Sequence, residues 1–187
     1  MNSAATVRRD LRPGDLGSII AHHGIVYCPE YGLDSTFEAH VCASVAAAGK
    51  RGFPRAREAI WIVERDGRHA GSLALTDDDN NWGVVRWFVL DRNLRGIGLG
   101  RCLIDEFVDE GRRAGYEGLW LETFGDLRAA AHLYRSHGFE LCSEQVGSRW
   151  GRDEVTYQRY ELGFQSRAQS LSEPSVGSSA RPFSVNA

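Results

Sequence analysis

Residues 89–103, VLDRNLRGIGLGRCL, set Gly96, Gly98 and Gly100 at alternate positions between an apolar run and an amphipathic run, with Arg95 and Arg101 on either side. A strand that passes through glycines into a helix is built to hold phosphate. The first N–H groups of the helix are free, its dipole end is positive, and no side chain stands in the way. Three phosphate-binding plans compete for the turn. A dinucleotide fingerprint wants G-x-G-x-x-G, and Arg101 stands where the third glycine should pack on the sheet; the acidic Glu122 downstream leaves that plan demoted but open. A G-x-x-x-x-G-K-[ST] loop fails at the chain's one lysine, Lys50, because AAAGKRG lacks both the leading glycine and the hydroxyl. The third plan, R-x-x-G-x-G, is met by Arg95, Gly98 and Gly100.

Further along, LWLETF at 119–124 puts Leu119 and Leu121 on one face of a strand and Trp120, Glu122 and Phe124 on the other. A carboxylate among aromatic groups in a buried strand must be partnered, wetted or protonated, and a raised pKa would suit a base. A pairing of Glu122 with Arg86 or a histidine is the alternative. Tyr134 recurs with Leu127, Ala130 and Ala131 at helical spacing, which core packing alone would explain. The segment from Tyr27 to Glu38 mixes Tyr27, Glu30, Tyr31, Asp34, Phe37 and Glu38, a composition suited to holding a cationic amine between carboxylates and rings. Equally, its rings could be core and its acids caps. Arg149 and Trp150 either close a cleft or sit on a surface loop. The histidines lack metal spacing, and no metal is expected.

These groups need elements to hold them. PGDLGSIIAHHG reads as a short first helix with Asp15 as cap and Gly24 as stop. Ser35 and Glu38 form a capping box ahead of a second helix on Phe37, Val41 and Val45. AIWIVERDGRHAGSLALT is a hairpin around Asp66-Gly67, and VVRWFVL at 84–90 is a central strand. The glycine turn opens a third helix on Leu103, Ile104, Phe107 and Val108, ending at Gly115. The strand 119–124 follows, then a fourth helix capped by Asp126 and stopped by Gly138-Phe139. FELCSEQV and TYQRYELGF close the domain around a polar loop, GSRWGRDE.

A length of 187 residues suits one domain, expected over 1–164. Residues 165–187 are rich in serine and poor in large apolar side chains, so they are expected to be a disordered tail. With 42% hydrophobic and 25% charged residues, the composition is that of a globular protein. No apolar run approaches the ~20 residues of a membrane span, and the polar start lacks a secretory signal, which predicts a cytoplasmic protein. Cys28, Cys42, Cys102 and Cys142 lie far apart in apolar stretches and read as reduced core thiols. A formal net charge of -3 argues against a general nucleic-acid binder.

Residues 84–139, through the R-x-x-G-x-G turn and LYRSHGF, resemble the GCN5-related N-acetyltransferases, the GNAT superfamily. The resemblance implies an α/β GNAT fold, with a mixed, mostly antiparallel central sheet flanked by helices, in which strands 84–90 and 119–124 run parallel and splay. It implies acetyl-CoA as cosubstrate, held by Val89, Leu90, Arg95, Gly96, Ile97, Gly98, Leu99, Gly100 and Arg101. Tyr134 takes the family's general-acid position, and Glu122 matches the base-like glutamate of some members. Tyr27, Glu30, Tyr31 and Asp34 fall on the elements that border the acceptor cleft. HHGIVYCPEYGLDSTFE at 22–38 is similar to the acetyltransferase half of fusions with MarR-type regulators. Many family members place a cofactor-contacting asparagine seven residues before the tyrosine, where this chain has Leu127. The implied function is acetyl transfer to an amine of a small molecule, peptide or protein in a ternary complex. An acyl-CoA sensor without turnover is the alternative, and a homodimer stays open.

Overall fold

The computed structural model describes residues 4–164, so the segment 165–187 lies outside the described residues. A seven-stranded sheet runs through the centre in the order β1-β2-β3-β4-β5-β7-β6. Its strands are β1 (Thr6–Arg8), β2 (Ala59–Arg65), β3 (Arg68–Asp77), β4 (Trp82–Leu90), β5 (Gly118–Phe124), β6 (Glu140–Arg149) and β7 (Arg152–Gly163). Every pairing is antiparallel except β4 with β5. The helices are α1 (Asp15–Tyr31), α2 (Ser35–Lys50), α3 (Leu99–Arg113) and α4 (Arg128–Ser136). This is the expected α/β GNAT architecture, with the short β1 added.

Each face of the sheet has its own core because β2 and β4 are apolar on most positions and the middle of β3 is buried on both faces. On one face Leu103, Ile104 and Phe107 of α3 and Ala131 and Tyr134 of α4 pack against Trp61, Leu73, Leu75 and Val85. On the other, Ile19 of α1 and Phe37, Val41 and Val45 of α2 pack against Ile60, Ile62, Ala74 and Trp87. The β2–β3 turn is the expected two-residue hairpin, with Asp66 and Gly67 both at positive φ, which matches the twist of the flanking strands. The end of α4 is likewise as expected: Gly138 sits at φ 86 and the Phe139 N–H donates to the Tyr134 carbonyl at 3.1 Å.

Several boundaries differ from the sequence expectation. Helix α1 does not stop at Gly24 but continues through it to Tyr31, ending at Gly32 with φ 65. Gly24 serves a crossing instead, since a Cβ there would collide with the Glu38 carboxylate of α2. Asp15 is not the cap of α1: Gly14 takes that place, and the buried Asp15 carboxylate accepts from the Arg12 N–H at 2.6 Å and the Arg8 guanidinium at 2.9 Å. The cap of α2 shifts one residue to Asp34, which accepts from the Thr36 N–H at 2.9 Å. Asp126 does not cap α4, having turned to Arg152 at 2.6 Å. The polar stretch 147–154 is strand up to a two-residue turn, Trp150-Gly151, with φ 55 and 78. Three of the cysteines are not core residues: Cys42, Cys102 and Cys142 are exposed, while Cys28 is half-buried against the core under α1 and α2, and all four are free thiols.

Candidate active site

β4 and β5 pair only at Trp82↔Gly118, Gly83↔Leu119 and Val84↔Trp120. Beyond Val84 they part, and the cause lies in β4. Trp87 takes φ 51 where the register against β3 slips between Ser72 and Ala74, a bulge that bends the strand away. A left-handed tryptophan in a strand is costly and has to be held. Here the buried Ser72 hydroxyl donates to the Trp87 carbonyl at 2.6 Å, and the indole N–H donates to Ser44 Oγ at 3.1 Å. The opening is a cavity of about 760 Å³ reached by both cores of the sheet.

At one end of the cavity lies the glycine turn. The N–H groups of residues 96–101 find no acceptor among the described residues, and the chain enters α3 through Gly98 at φ 90. Consecutive free amides at a positive helix end form an anion cradle, and glycine is required at Gly98 by its backbone angle. Gly96, Gly98, Gly100 and Arg101 line the cavity, as do Val89 and Leu90 at the end of β4. Ile97 and Leu99 do not line it; they contribute backbone to the row. Arg95 behaves differently from a phosphate clamp. Its guanidinium donates to the Leu90 carbonyl at 3.0 Å and to Glu30 of α1 at 2.7 Å, tying the turn to the first helix. These residues suit the pyrophosphate of a CoA thioester: amides for the anion, a splayed strand pair for the pantetheine arm.

Tyr134 lines the cavity from α4 with its ring 5% exposed, packed between Phe88, Phe139 and Tyr160. Its hydroxyl has no hydrogen-bond partner among the described residues, and burial pushes the phenol well above its ordinary pKa, so it stays protonated. Glu122 also lines the cavity, but it is exposed there rather than buried among rings. The splay strips β5 of its neighbour at that point, so the desolvation expected of a doubly covered strand does not arise. No hydrogen bond or ion pair engages its carboxylate among the described residues.

Of the residues expected on the acceptor side, Tyr27, Glu30 and Tyr31 line the cavity and Asp34 does not. Asp34 is the cap of α2, so its expected part in holding an amine has no geometry behind it. Tyr27 donates to the Phe88 carbonyl at 2.9 Å, bracing the bulged strand. Glu30 is paired with Arg95 and with Arg92 at 3.2 Å. Burial works to raise its carboxyl, but those guanidinium hydrogen bonds outweigh it and hold the pKa below the ordinary value. Rings from Tyr31, Phe37, Phe124, Trp150 and Tyr157 meet edge to face around this end. The Trp150 carbonyl accepts from the Asp34 N–H at 2.9 Å, so the β6–β7 turn roofs the cavity, as the cleft-closing reading of Arg149 and Trp150 expected. Sequence reasoning gave no site role to Arg86, His40, Ser44 or Tyr157, all of which line it. Only Arg86 left a signal, a charge in an otherwise apolar strand.

The sequence model of the acetyltransferase (GNAT) family matches residues 48–139. The L-amino acid N-acyltransferase MnaT of Escherichia coli is 26% identical over 164 residues, covering 82% of this chain and 92% of that one. The camello protein of Xenopus tropicalis is 28% identical over 110 residues, covering 55% of this chain and 50% of its own, so the chain spans half of that relative. In fold, a GNAT acetyltransferase from Streptococcus pneumoniae superposes with a TM-score of 0.63 at 18% identity, over 86% of this chain and 100% of that one. The yncA protein of Salmonella typhimurium, solved with its cofactor acetyl-CoA, gives 0.62 at 19% identity over 88% and 96%. The family match falls on the strands, bulge and amide-lined turn that build the cavity, so residues 48–139, on a GNAT fold, are the segment of this chain that carries the GNAT acetyltransferase family.

Proposed function

We propose that the protein transfers an acetyl group from acetyl-CoA to the amine of a small molecule, with both substrates in the cleft at once. The observation that carries this is the splay of β4 from β5, which joins an anion cradle at one end to Tyr134, Glu122 and a roofed aromatic chamber at the other. Acetyl-CoA, when bound, supplies the acyl carbon and a thiol leaving group. The chain supplies the rest. The free amides of 96–101 hold the pyrophosphate, with Arg101 and Arg128 at the rim. Tyr134, kept protonated by burial and free of other partners, donates its proton to the departing sulfur. Glu122, unpaired in the cavity, takes the amine's proton directly or through water. Removing a proton from a lysine-like amine near pKa ~10.4 costs ~4–5 kcal/mol at neutral pH, against ~1 for an α-amine near ~8.

The roof made by the Asp34–Trp150 hydrogen bond favours a small acceptor over a protein lysine. The name of MnaT, an L-amino acid N-acyltransferase, agrees with a small acceptor. A sensor reading rests on Leu127, apolar and cavity-lining where many family members have asparagine, and on the likeness of residues 22–38 to regulator-fused acetyltransferases. The deciding experiment is free-thiol release from acetyl-CoA with a panel of amines, beside thermal protection by CoA. Protection with amine-dependent thiol release supports the enzyme. Protection without any release supports the sensor, and no protection removes both.

A further inference from the structure

Arg86 stands on β4 two residues beyond Val84, and Glu122 on β5 two residues beyond Trp120, the last pair that the strands make. The two side chains therefore share one face of the sheet on either side of the opening, and both line the cavity. They lie too far apart to form an ion pair. Arg86 is half-buried, donates no hydrogen bond among the described residues, and lies over the Trp120 ring, 5.4 Å from its centroid. Burial pulls its guanidinium below the ordinary pKa while Glu122 pulls the other way, the signature of a charge short of a partner.

The other charges of the cavity are accounted for. Glu30 is spent on Arg92 and Arg95, and Asp126 on Arg152. His40 is kept neutral, its pKa lowered by burial and then by Arg149 and Arg86. At the acceptor end this leaves one carboxylate, Glu122, and two guanidinium groups, Arg86 and the Tyr157-stacked Arg149. The Tyr157 hydroxyl beside them is buried without a partner. An acceptor bearing nothing but an ammonium would leave Arg86 uncompensated.

We propose that Arg86 binds an anionic group of the acceptor, so that the acceptor is an amino-acid-like zwitterion: its amine at Glu122, its carboxylate on Arg86, its side chain against Phe124, Trp150 and Tyr157. This rests on the acetyltransferase reading above and names its substrate class. A guanidinium reads a planar carboxylate with two parallel hydrogen bonds, and withdrawal of such a pair is specific to the anion.

The test compares kcat/KM for a set of amino acids, phenylalanine among them, with that for their carboxamides, in wild type, Arg86→Gln and Arg86→Lys, by thiol release. Wild type should favour the carboxylates, and Arg86→Gln should lower that ratio about 10- to 100-fold, mainly through KM for the carboxylate. Arg86→Lys, which keeps the charge and loses the fork, should fall between. A wild type that uses carboxamides as well as amino acids overturns the proposal, and so does an unchanged ratio in a variant that CoA still protects thermally. The wild-type ratio decides alone if neither variant folds. Should no amine release thiol although CoA protects, the acetyltransferase reading fails separately. Calorimetry of amino-acid binding to the CoA-bound protein then decides: binding lost in Arg86→Gln supports the anion site, and no binding overturns it.

Discussion

Tyr134→Phe separates chemistry from packing because of how the residue is held. The ring carries the structural load: its centroid lies 6.5 Å from Phe88, 5.9 Å from Phe139 and 6.2 Å from Tyr160, and the residue is 5% exposed. The hydroxyl carries none, since no group among the described residues bonds to it. Phenylalanine keeps every ring contact and orphans no buried group, so stability should change by no more than about 0.5 kcal/mol. Thermal protection by CoA should persist. Loss of the proton donor should lower kcat by roughly 10²- to 10⁴-fold, or ~3–5.5 kcal/mol of transition-state stabilisation. The chemical effect thus exceeds the structural one several-fold, and the two are read by thiol release and by melting. The pH dependence adds a check. Burial raises the phenol's pKa, so the proton donor is present below that raised value, and the Phe defect should be constant from about pH 7 to 9.5. Unchanged turnover in a folded variant would make Tyr134 a packing residue. A melting loss of many degrees, with loss of CoA protection, would show that the hydroxyl bears structure after all.

Gly98→Val places a β-branched residue at φ 90 in the amide row, a strain of at least ~1–2 kcal/mol that pulls the cradle out of shape; CoA should no longer raise the melting temperature. Gly17→Ala, in an open part of α1, is the control that should leave CoA protection intact. Glu122→Gln should show its largest rate defect at low pH, where the acceptor amine is charged, and a shrinking one as pH rises through the amine's pKa; an equal defect at every pH would make Glu122 structural. Asp15→Asn should cost about 1.5–3 kcal/mol in urea denaturation at pH 7 by taking from the near-buried Arg8 one of its two close carboxylates and leaving it Glu64 at 2.8 Å. Burial tends to raise the Asp15 carboxyl, but hydrogen bonds from Arg8 and the Arg12 N–H outweigh it and hold the pKa down. Its stabilisation is therefore full above the unfolded value near ~4 and lost as pH falls through the lowered one, so the gap between wild type and variant should narrow as the pH is taken below that unfolded value.

Elements with local signals were legible in the sequence. The Asp66-Gly67 hairpin, the apolar face of α3, the Gly138-Phe139 stop and the glycine turn each depend on residues within a few positions of one another. What escaped was set by distant contact. Gly24 has the composition of a helix stop, yet the crossing of α2 over α1 uses it for close approach, and nothing near Gly24 records that crossing. Glu122 was legible as a carboxylate in an apolar strand, but its exposure follows from the loss of β4 as a neighbour, which is set by the bulge at Trp87, far from Glu122 in sequence. Asp34 and Glu30 show the same limit. Both are acids in an aromatic segment; one caps a helix and the other is neutralised by Arg95, a residue that the sequence assigned to phosphate.

That last exchange ties the two halves of the site together. β4 runs along the cleft and lines it with six consecutive residues, 85–90. Arg86 faces the acceptor chamber, Trp87 makes the bulge, the Phe88 carbonyl is held by Tyr27 of α1, and Leu90 delivers the chain to the amide row, its carbonyl held by Arg95. Arg95 in turn grips Glu30, one helical turn from Tyr27, so α1 fastens the end of β4 at two points, Phe88 directly and Leu90 through Arg95. An arginine released to bind phosphate would undo one of those fastenings. The anion cradle is accordingly made of backbone, whose position the helix and strand already determine, while Arg95 is turned to holding the acceptor wall against the turn. The acceptor end draws on a different guanidinium, that of Arg86, in the middle of the strand that delivers the chain to the cradle.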